Sequence, residues 1–210
     1  MPSNENSSAP TNNCLLPYVD SATAPEDVSA ALRTLPFERN IFKLLANAPA
    51  FFPTFMKLLT CAWSPNRSLR STDWQLIVLR TAALHDAPYE WDVNEPVARV
   101  FNYTEEHFAA IRSGDLSSTE LFTDRQRLIN SIVTELYASN RVKPELVLQA
   151  KKVLGDEALM DLFFTQGIYA FLARTMNSCQ IDFDAPIPGL VEQLRKYNAA
   201  IIEKESQYTD

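Results

Sequence analysis

The chain has 210 residues, of which 46% are hydrophobic and 21% are charged, a composition typical of one folded domain rather than of a disordered segment. Its net charge of −7 argues against a nucleic-acid partner, because binding to phosphates requires a basic surface. Only four glycines occur, which favours helices over the tight turns of β-hairpins.

Three cysteines, Cys14, Cys61 and Cys179, lie far apart, and no cysteine–histidine group has the spacing of metal ligands. We expect Cys61 and Cys179 to fill the core and Cys14 to lie in a tail, all in a reducing compartment. The first residues lack a basic region followed by an apolar one, and no apolar run approaches the ~20 residues of a membrane span. These features predict a cytoplasmic protein without a membrane partner.

Taken in order, the chain predicts an N-terminal arm followed by helices. Residues 1–24 are rich in Ser, Asn, Pro and Ala, which predicts a flexible arm, and residues 25–205 form one predicted domain. Strand-type alternation does not persist, whereas apolar residues recur at helical spacing. Caps and breaks divide the domain into ten predicted helices, at 25–34, 38–47, 53–63, 72–86, 89–101, 104–112, 123–138, 144–153, 156–177 and 189–203. An extended segment is predicted at 181–188, and the predicted fold class is all-α.

Individual residues indicate how some of these helices begin and end. Thr72 or Asp73 is expected to cap the helix at 72–86 by accepting backbone N–H bonds. Thr104 is expected to begin the helix at 104–112, and Gly114 is expected to end it.

The helix at 72–86 is predicted to be central. Residues 74–84 are apolar on nearly every side, and a helix without a solvated face belongs in the middle of a domain. Arg80 interrupts this apolar surface, so we expect it to find a carboxylate if it is buried. The sequence His85-Asp86-Ala87-Pro88 ends the helix, because proline disfavours helix in the preceding residue and has no N–H to donate.

The next helix, at 89–101, places Glu90 and Asn94 one turn apart on one face. Gln75 lies near the start of the preceding helix. We therefore expect Gln75, Glu90 and Asn94 to converge in the angle between the two helices.

Several segments resemble the carboxymuconolactone decarboxylase family, which also holds the AhpD-type alkylhydroperoxidases. The similar strings are QLIVLRxAAL and YEWxxNEPVA, with RNIFKLLAN and FFPTF before them and FLARTMN after them. The likeness covers roughly residues 35–183 and is strongest to single-domain members common in fungi. It implies an AhpD-like all-α domain of about ten helices with a central antiparallel helix pair. It also implies a homo-oligomer, either a dimer, a trimer or a hexamer.

The residues that carry chemistry in that family differ here. The position of the family's relay glutamate is occupied by Gln75, and that of its histidine by Asn94. The two cysteine positions of the redox-active members are occupied by Ala87 and Glu90. Peroxide reduction through a disulfide needs two thiols, so the resemblance does not extend to peroxidase activity. Gln75 and Asn94 do not titrate, but they can orient a ligand by hydrogen bonding.

Glu90 and His85 are the candidate catalytic residues. If Glu90 is buried among aromatic side chains, its pKa rises and it can act as an acid or base near neutral pH. The alternative for Glu90 is a carboxylate at a helix start or a partner for Arg80. His85 lies in the break between the helices, where it can reach a pocket mouth or remain a turn residue. The candidate substrate-binding residues are Gln75, Asn94, Trp91 and Tyr89, for which a structural role is the alternative.

These observations predict an enzyme that needs neither a metal nor an organic cofactor and acts on a small hydrophobic molecule by acid–base chemistry. Decarboxylation, isomerisation and cyclisation or rearrangement remain open, in a setting such as fungal secondary metabolism. The alternative is a catalytically silent ligand-binding or scaffold protein that kept the fold. A cavity with Glu90 facing inward favours the enzyme. A space filled by Trp91 and the aromatic residues of 163–171 favours the silent protein.

Overall fold

The computed structural model describes residues 13–35, 37–61, 64 and 66–208, so half of the predicted arm lies outside the described residues. The described part is all-α and contains no strand, which confirms the predicted fold class. Its helices are α1 (Glu26–Leu32), α2 (Asn40–Leu45), α3 (Phe52–Thr60), α4 (Ser71–Leu84), α5 (Pro88–Val100), α6 (Glu105–Ser113), α7 (Asp124–Ser139), α8 (Pro144–Leu154), α9 (Asp156–Cys179), α10 (Leu190–Tyr197) and α11 (Ala199–Glu205). No helix among these residues is both long enough and apolar enough to cross a membrane.

Helix α4 occupies the centre of the fold. Its four consecutive residues 76–79 are fully buried, and α5, α6, α7 and α9 pack around it. This placement follows from its sequence, because each side of the helix presents apolar side chains that must be removed from water.

Helices α4 and α5 run antiparallel. Asp86 adopts a positive φ of 48° in the turn between them, and Pro88 is the first residue of α5. At the other end of the pair, the Tyr103 hydroxyl donates to the backbone carbonyl of Thr72 at 2.7 Å. The end of α5 therefore lies beside the start of α4.

The predicted cap of α4 is wrong. The helix begins at Ser71, and no side chain of its own first turn caps it. The carboxylate of Glu205 accepts the Ser71 N–H instead, at 2.9 and 3.1 Å. Asp73 pairs with Arg125 at 2.6 Å, because its side chain faces α7 rather than the helix start.

The last predicted helix is divided into α10 and α11 at Asn198. This buried side chain donates from Nδ2 to the Leu194 carbonyl at 2.8 Å. Asparagine competes for backbone groups in this way, and such local bonding interrupts a helix. The break directs α11 toward the start of α4, and Glu205 of α11 caps α4 there.

The boundaries of α6 match the prediction. Thr104 and His107 form a reciprocal cap at its start, and Gly114 ends it with φ = 83°. His107 also contacts the Leu121 carbonyl through Nε2 at 3.1 Å, so it is a structural residue.

Arg80 is buried, and no carboxylate among the described residues pairs with it, contrary to the expectation. Its guanidinium donates to the Ile111 carbonyl at 3.0 Å, near the end of α6. The C-terminal end of a helix carries partial negative charge, so it stabilises a cation that has no ion-pair partner.

The cysteines are placed differently from the prediction. Cys61 is exposed, while Cys14 and Cys179 are partly buried. Cys14 belongs to a fixed segment, since its N–H donates to Asp182 at 3.3 Å and the N–H of Leu15 donates to the Cys179 carbonyl at 2.8 Å. Among the described residues, none of the three forms a disulfide.

Candidate active site

A cavity of about 80 Å³ lies between α2, α4, α5, α9 and α10 and opens to the surface. Gln75, Glu90 and Asn94 all line it, so the structure brings together the three residues predicted to converge. Much of the remaining wall is apolar, including Ile41, Phe42, Leu59, Val93, Leu172 and Met176. Trp91 does not fill this space.

Glu90 is the chemically unusual residue of the cavity. Its side chain is 2% exposed, and neither carboxyl oxygen has a hydrogen-bond partner among the described residues. Burial raises the pKa of Glu90 well above its usual value, because desolvation penalises the ionised form. The alternative pairing with Arg80 is not formed, since Arg80 donates to the Ile111 carbonyl. Glu90 therefore stays protonated to higher pH than an exposed glutamate does.

The two amides differ in how much of their hydrogen-bonding capacity is used. Asn94 donates from Nδ2 to the backbone carbonyl of Glu90 at 2.8 Å, which anchors it along α5. Gln75 is 4% exposed, and its Oε1 is buried without a partner among the described residues. Gln75 Oε1 is thus a buried acceptor left for a ligand.

Tyr169 of α9 also lines the cavity, although it is not one of the predicted site residues. Burial raises its pKa, nearby Glu90 raises it further, and the neighbouring Trp74 and Arg67 side chains oppose the rise. The Tyr169 and Trp74 rings meet edge to face, with centroids 6.0 Å apart. Tyr169 is therefore held as a neutral phenol. Its position in a long aromatic-rich helix carried no signal that separated it from the core.

Tyr89 lines the cavity with its ring, but its hydroxyl is already bonded. The hydroxyl donates to Asp184 at 2.8 Å and accepts the Ile41 N–H at 3.2 Å. Asp184 also accepts from Arg39 at 3.1 Å and from the Asn40 N–H at 2.7 Å. This network joins the extended segment 181–188 to the start of α2, and Tyr89 offers a ligand only its aromatic surface.

Trp91 lies outside the cavity, contrary to its predicted role in substrate binding. Its indole N–H donates to Glu95 at 2.7 Å, and Arg112 lies over its ring at 4.1 Å from the centroid. The reason is helical geometry, since consecutive residues are about 100° apart around a helix. Glu90 faces α4 and α9, whereas Trp91 faces α6. Glu95 also pairs with Arg99 at 2.6 Å.

His85 also lies outside the cavity, so its predicted catalytic role has no geometric support. Its ring packs edge to face on Tyr137 of α7, with centroids 4.9 Å apart. Burial lowers the pKa of His85, and the nearby charge of Arg174 lowers it further. At the end of α4 the side chain points toward α7 and α9, away from Glu90.

No protein-family model matches the sequence, and a search of curated proteins finds no significant match. Within the described part of the chain, no group of three or more His, Cys, Asp and Glu side chains is arranged to hold a metal ion. The functional assignment therefore depends on the cavity and on the sequence resemblance.

Proposed function

We propose that this protein is an enzyme of the carboxymuconolactone decarboxylase-like group that uses acid–base chemistry on a small hydrophobic molecule, with neither a metal nor an organic cofactor. The observation that carries the proposal is the Glu90 carboxyl, buried and unpartnered at the wall of an apolar cavity. The resemblance over residues 70–101 falls on α4 and α5, the two helices that carry Gln75, Glu90 and Asn94.

An unpartnered buried carboxyl lowers stability, because its oxygens lose water without gaining another hydrogen bond. A group of this kind in a cavity is typical of a functional site, where a ligand supplies the missing bond. Protonated Glu90 would donate a proton, or a strong hydrogen bond, to an oxygen that gains negative charge during the reaction. Gln75 Oε1 would accept a hydroxyl proton of the ligand.

Tyr169 faces the same space and would provide a second neutral donor. Isomerisation of a carbonyl compound, or a cyclisation that begins with an enol, suits this site. One Glu90 oxygen would give its proton to the carbonyl oxygen while the other, also unpartnered, would take the proton of the adjacent carbon, and Tyr169 would stabilise the enol oxygen. The apolar wall strengthens these hydrogen bonds by keeping water away.

The direct test is proton exchange into small enolisable ketones and lactones in D₂O, followed by NMR. We expect deuterium incorporation with the wild-type protein and at least a hundredfold slower incorporation with Glu90→Gln, as is usual for loss of an acid–base group. Glu120→Gln is the matched control, because Glu120 is exposed on the surface. Equal rates for wild type and Glu90→Gln on a substrate that is turned over would refute the assigned role.

A catalytically silent, self-associating scaffold is the second candidate, and a surface feature favours it. Large apolar side chains are exposed on α9, on α3 and at the residue just before α3. We call this surface the α3–α9 face, and it consists of Phe51, Leu58, Met160, Phe164 and Phe171. Phe51 is 76% exposed and Phe164 is 59% exposed. The α3–α9 face supports a homo-oligomer under either candidate function.

A second copy of the chain is the occupant we propose for the α3–α9 face. Its five residues leave roughly 500 Å² of apolar surface in water, if ~200 Å² is taken for each phenylalanine. A stable interface buries roughly 800 Å² on each partner, so this face would supply more than half of that area. Gly167 lies within it with open space around its Cβ position, which permits close approach of a second helix. We also propose a cytoplasmic location, supported by three cysteines that form no disulfide among the described residues.

A further inference from the structure

The charge of the cavity restricts the ligands that it can hold. Arg39 is the one lysine or arginine among the described residues that line it, and this side chain is already paired with Asp184 at 3.1 Å. The two side chains are only 6% and 8% exposed, so Asp184 already balances the positive charge of Arg39 within the protein. A carboxylate in the cavity would lose its water and would find no cation whose charge is still unbalanced.

Glu90 adds to this restriction. An anionic ligand beside it would disfavour any ionisation of the carboxyl, and the protonated acid can offer the ligand only one O–H. A neutral carbonyl oxygen suits this group better, because it accepts a hydrogen bond without bringing a charge into the apolar cavity.

Tyr169 supplies the second contact for such an oxygen. It is 6% exposed and lines the same cavity as Glu90, on the helix α9 that packs against α4 and α5. Burial raises the pKa of Tyr169, so the phenol keeps the proton that it would donate.

We propose that the cavity selects uncharged carbonyl compounds over carboxylates, with Glu90 and Tyr169 both donating to the carbonyl oxygen of the ligand. This inference rests on the proposed function and names the substrate class of the same site. It argues against decarboxylation as the reaction, since the substrate of a decarboxylase brings a carboxylate into the cavity.

Three probes test the selection: pentan-2-one, butanamide and butanoate. They share a propyl group on a carbonyl carbon and differ only in the methyl, amino or anionic oxygen substituent on that carbon. At pH 7 we expect pentan-2-one and butanamide to bind, by ligand-detected NMR, at least tenfold more tightly than butanoate. Binding of butanoate within threefold of the ketone, or no binding of any probe at tens of millimolar, would overturn the proposal.

Infrared difference spectroscopy with pentan-2-one labelled with ¹³C at the carbonyl tests the role of Tyr169. Hydrogen bonding from two donors should move the carbonyl stretch to lower wavenumber on binding. Tyr169→Phe removes one donor and keeps the ring, so we expect a smaller shift and roughly tenfold weaker binding. Tyr137→Phe is the control, because Tyr137 is exposed on α7 and does not line the cavity, so its carbonyl stretch and affinity should match those of the wild type. An unchanged stretch in Tyr169→Phe would overturn the shared contact.

These outcomes are separable from failure of the proposed function. If the ketone binds with a shifted carbonyl stretch but no carbonyl compound is turned over, the ligand class stands and the enzyme assignment fails. If a carboxylate substrate is turned over in a Glu90-dependent manner, the enzyme assignment stands and this inference fails.

Discussion

The carboxylate of Glu205, near the end of the described chain, accepts the backbone N–H of Ser71 at 2.9 Å and so caps the central helix α4. The same carboxylate accepts from the Ser71 hydroxyl at 3.0 Å and pairs with Arg67 at 3.5 Å. Because α4 carries Gln75, the last helix stabilises one wall of the cavity without lining it.

Glu205→Ala should therefore destabilise the whole domain. Loss of a helix cap typically costs about 1–2 kcal/mol of unfolding free energy, and the partly buried Arg67 would lose a partner as well. Urea denaturation followed by circular dichroism measures the change. Glu203→Ala is the matched control, since Glu203 is exposed on the same helix. Equal losses in the two variants would contradict the capping role.

The raised pKa of Glu90 predicts an unusual dependence of stability on pH. Above pH 4.5 the unfolded chain ionises this carboxyl while the folded protein keeps it protonated, so the unfolded state binds fewer protons. This single group then lowers the unfolding free energy by about 1.4 kcal/mol per pH unit, up to its folded pKa.

Glu90→Gln removes that dependence, because the amide does not titrate. We expect the stability difference between the variant and the wild type to be smallest near pH 4 and to grow in favour of the variant as the pH rises. Chemical denaturation between pH 4 and pH 9 measures it. If the unfolding free energies of the variant and the wild type change in parallel with pH over this range, Glu90 ionises normally in the folded state.

Gly114 is required both by its backbone conformation and by its neighbour. A Cβ at this position would lie 2.5 Å from one nitrogen of the Arg80 guanidinium, and φ is 83°. Gly114→Ala should destabilise by about 2–3 kcal/mol, from left-handed strain plus displacement of Arg80 from its carbonyl partner.

Gly189→Ala separates the two contributions. Gly189 also has a positive φ, of 65°, but the nearest atom to its Cβ position is 3.9 Å away. We expect about 1 kcal/mol of destabilisation there, from backbone strain alone. Thermal unfolding of both variants tests the comparison, and an equal loss would mean that the Arg80 contact contributes nothing.

The α3–α9 face predicts self-association. Sedimentation velocity of the wild-type protein should show a species larger than the monomer at micromolar concentration. Phe51→Glu and Phe164→Glu should each weaken association at least tenfold, since each buries a charge in an apolar interface.

Leu148→Glu provides the control for this experiment. Leu148 is 60% exposed but lies on α8, outside the α3–α9 face. This variant should associate as the wild type does. A wild-type protein that remains monomeric at about 100 µM would rule out the assigned surface, because interfaces of the expected size bind more tightly than that.

The sequence by itself determined the all-α class and the central place of α4. Both depend on the local pattern of apolar residues, which the chain carries without reference to distant partners. It also predicted that Gln75, Glu90 and Asn94 meet, since one short turn joins the two helices that carry them. The start of α6 at Thr104 and its end at Gly114 were predictable for the same reason, because caps act within a few residues.

Only the tertiary structure decided which groups complete the site. Tyr169 is 79 residues from Glu90, and Asp184 is 95 residues from Tyr89, so no local pattern relates them. The sequence also did not separate Glu90 from Trp91, whose directions depend on which neighbours α5 packs against. The physical reason is that packing orients whole helices, and this orientation determines which side chains share a water-poor cavity.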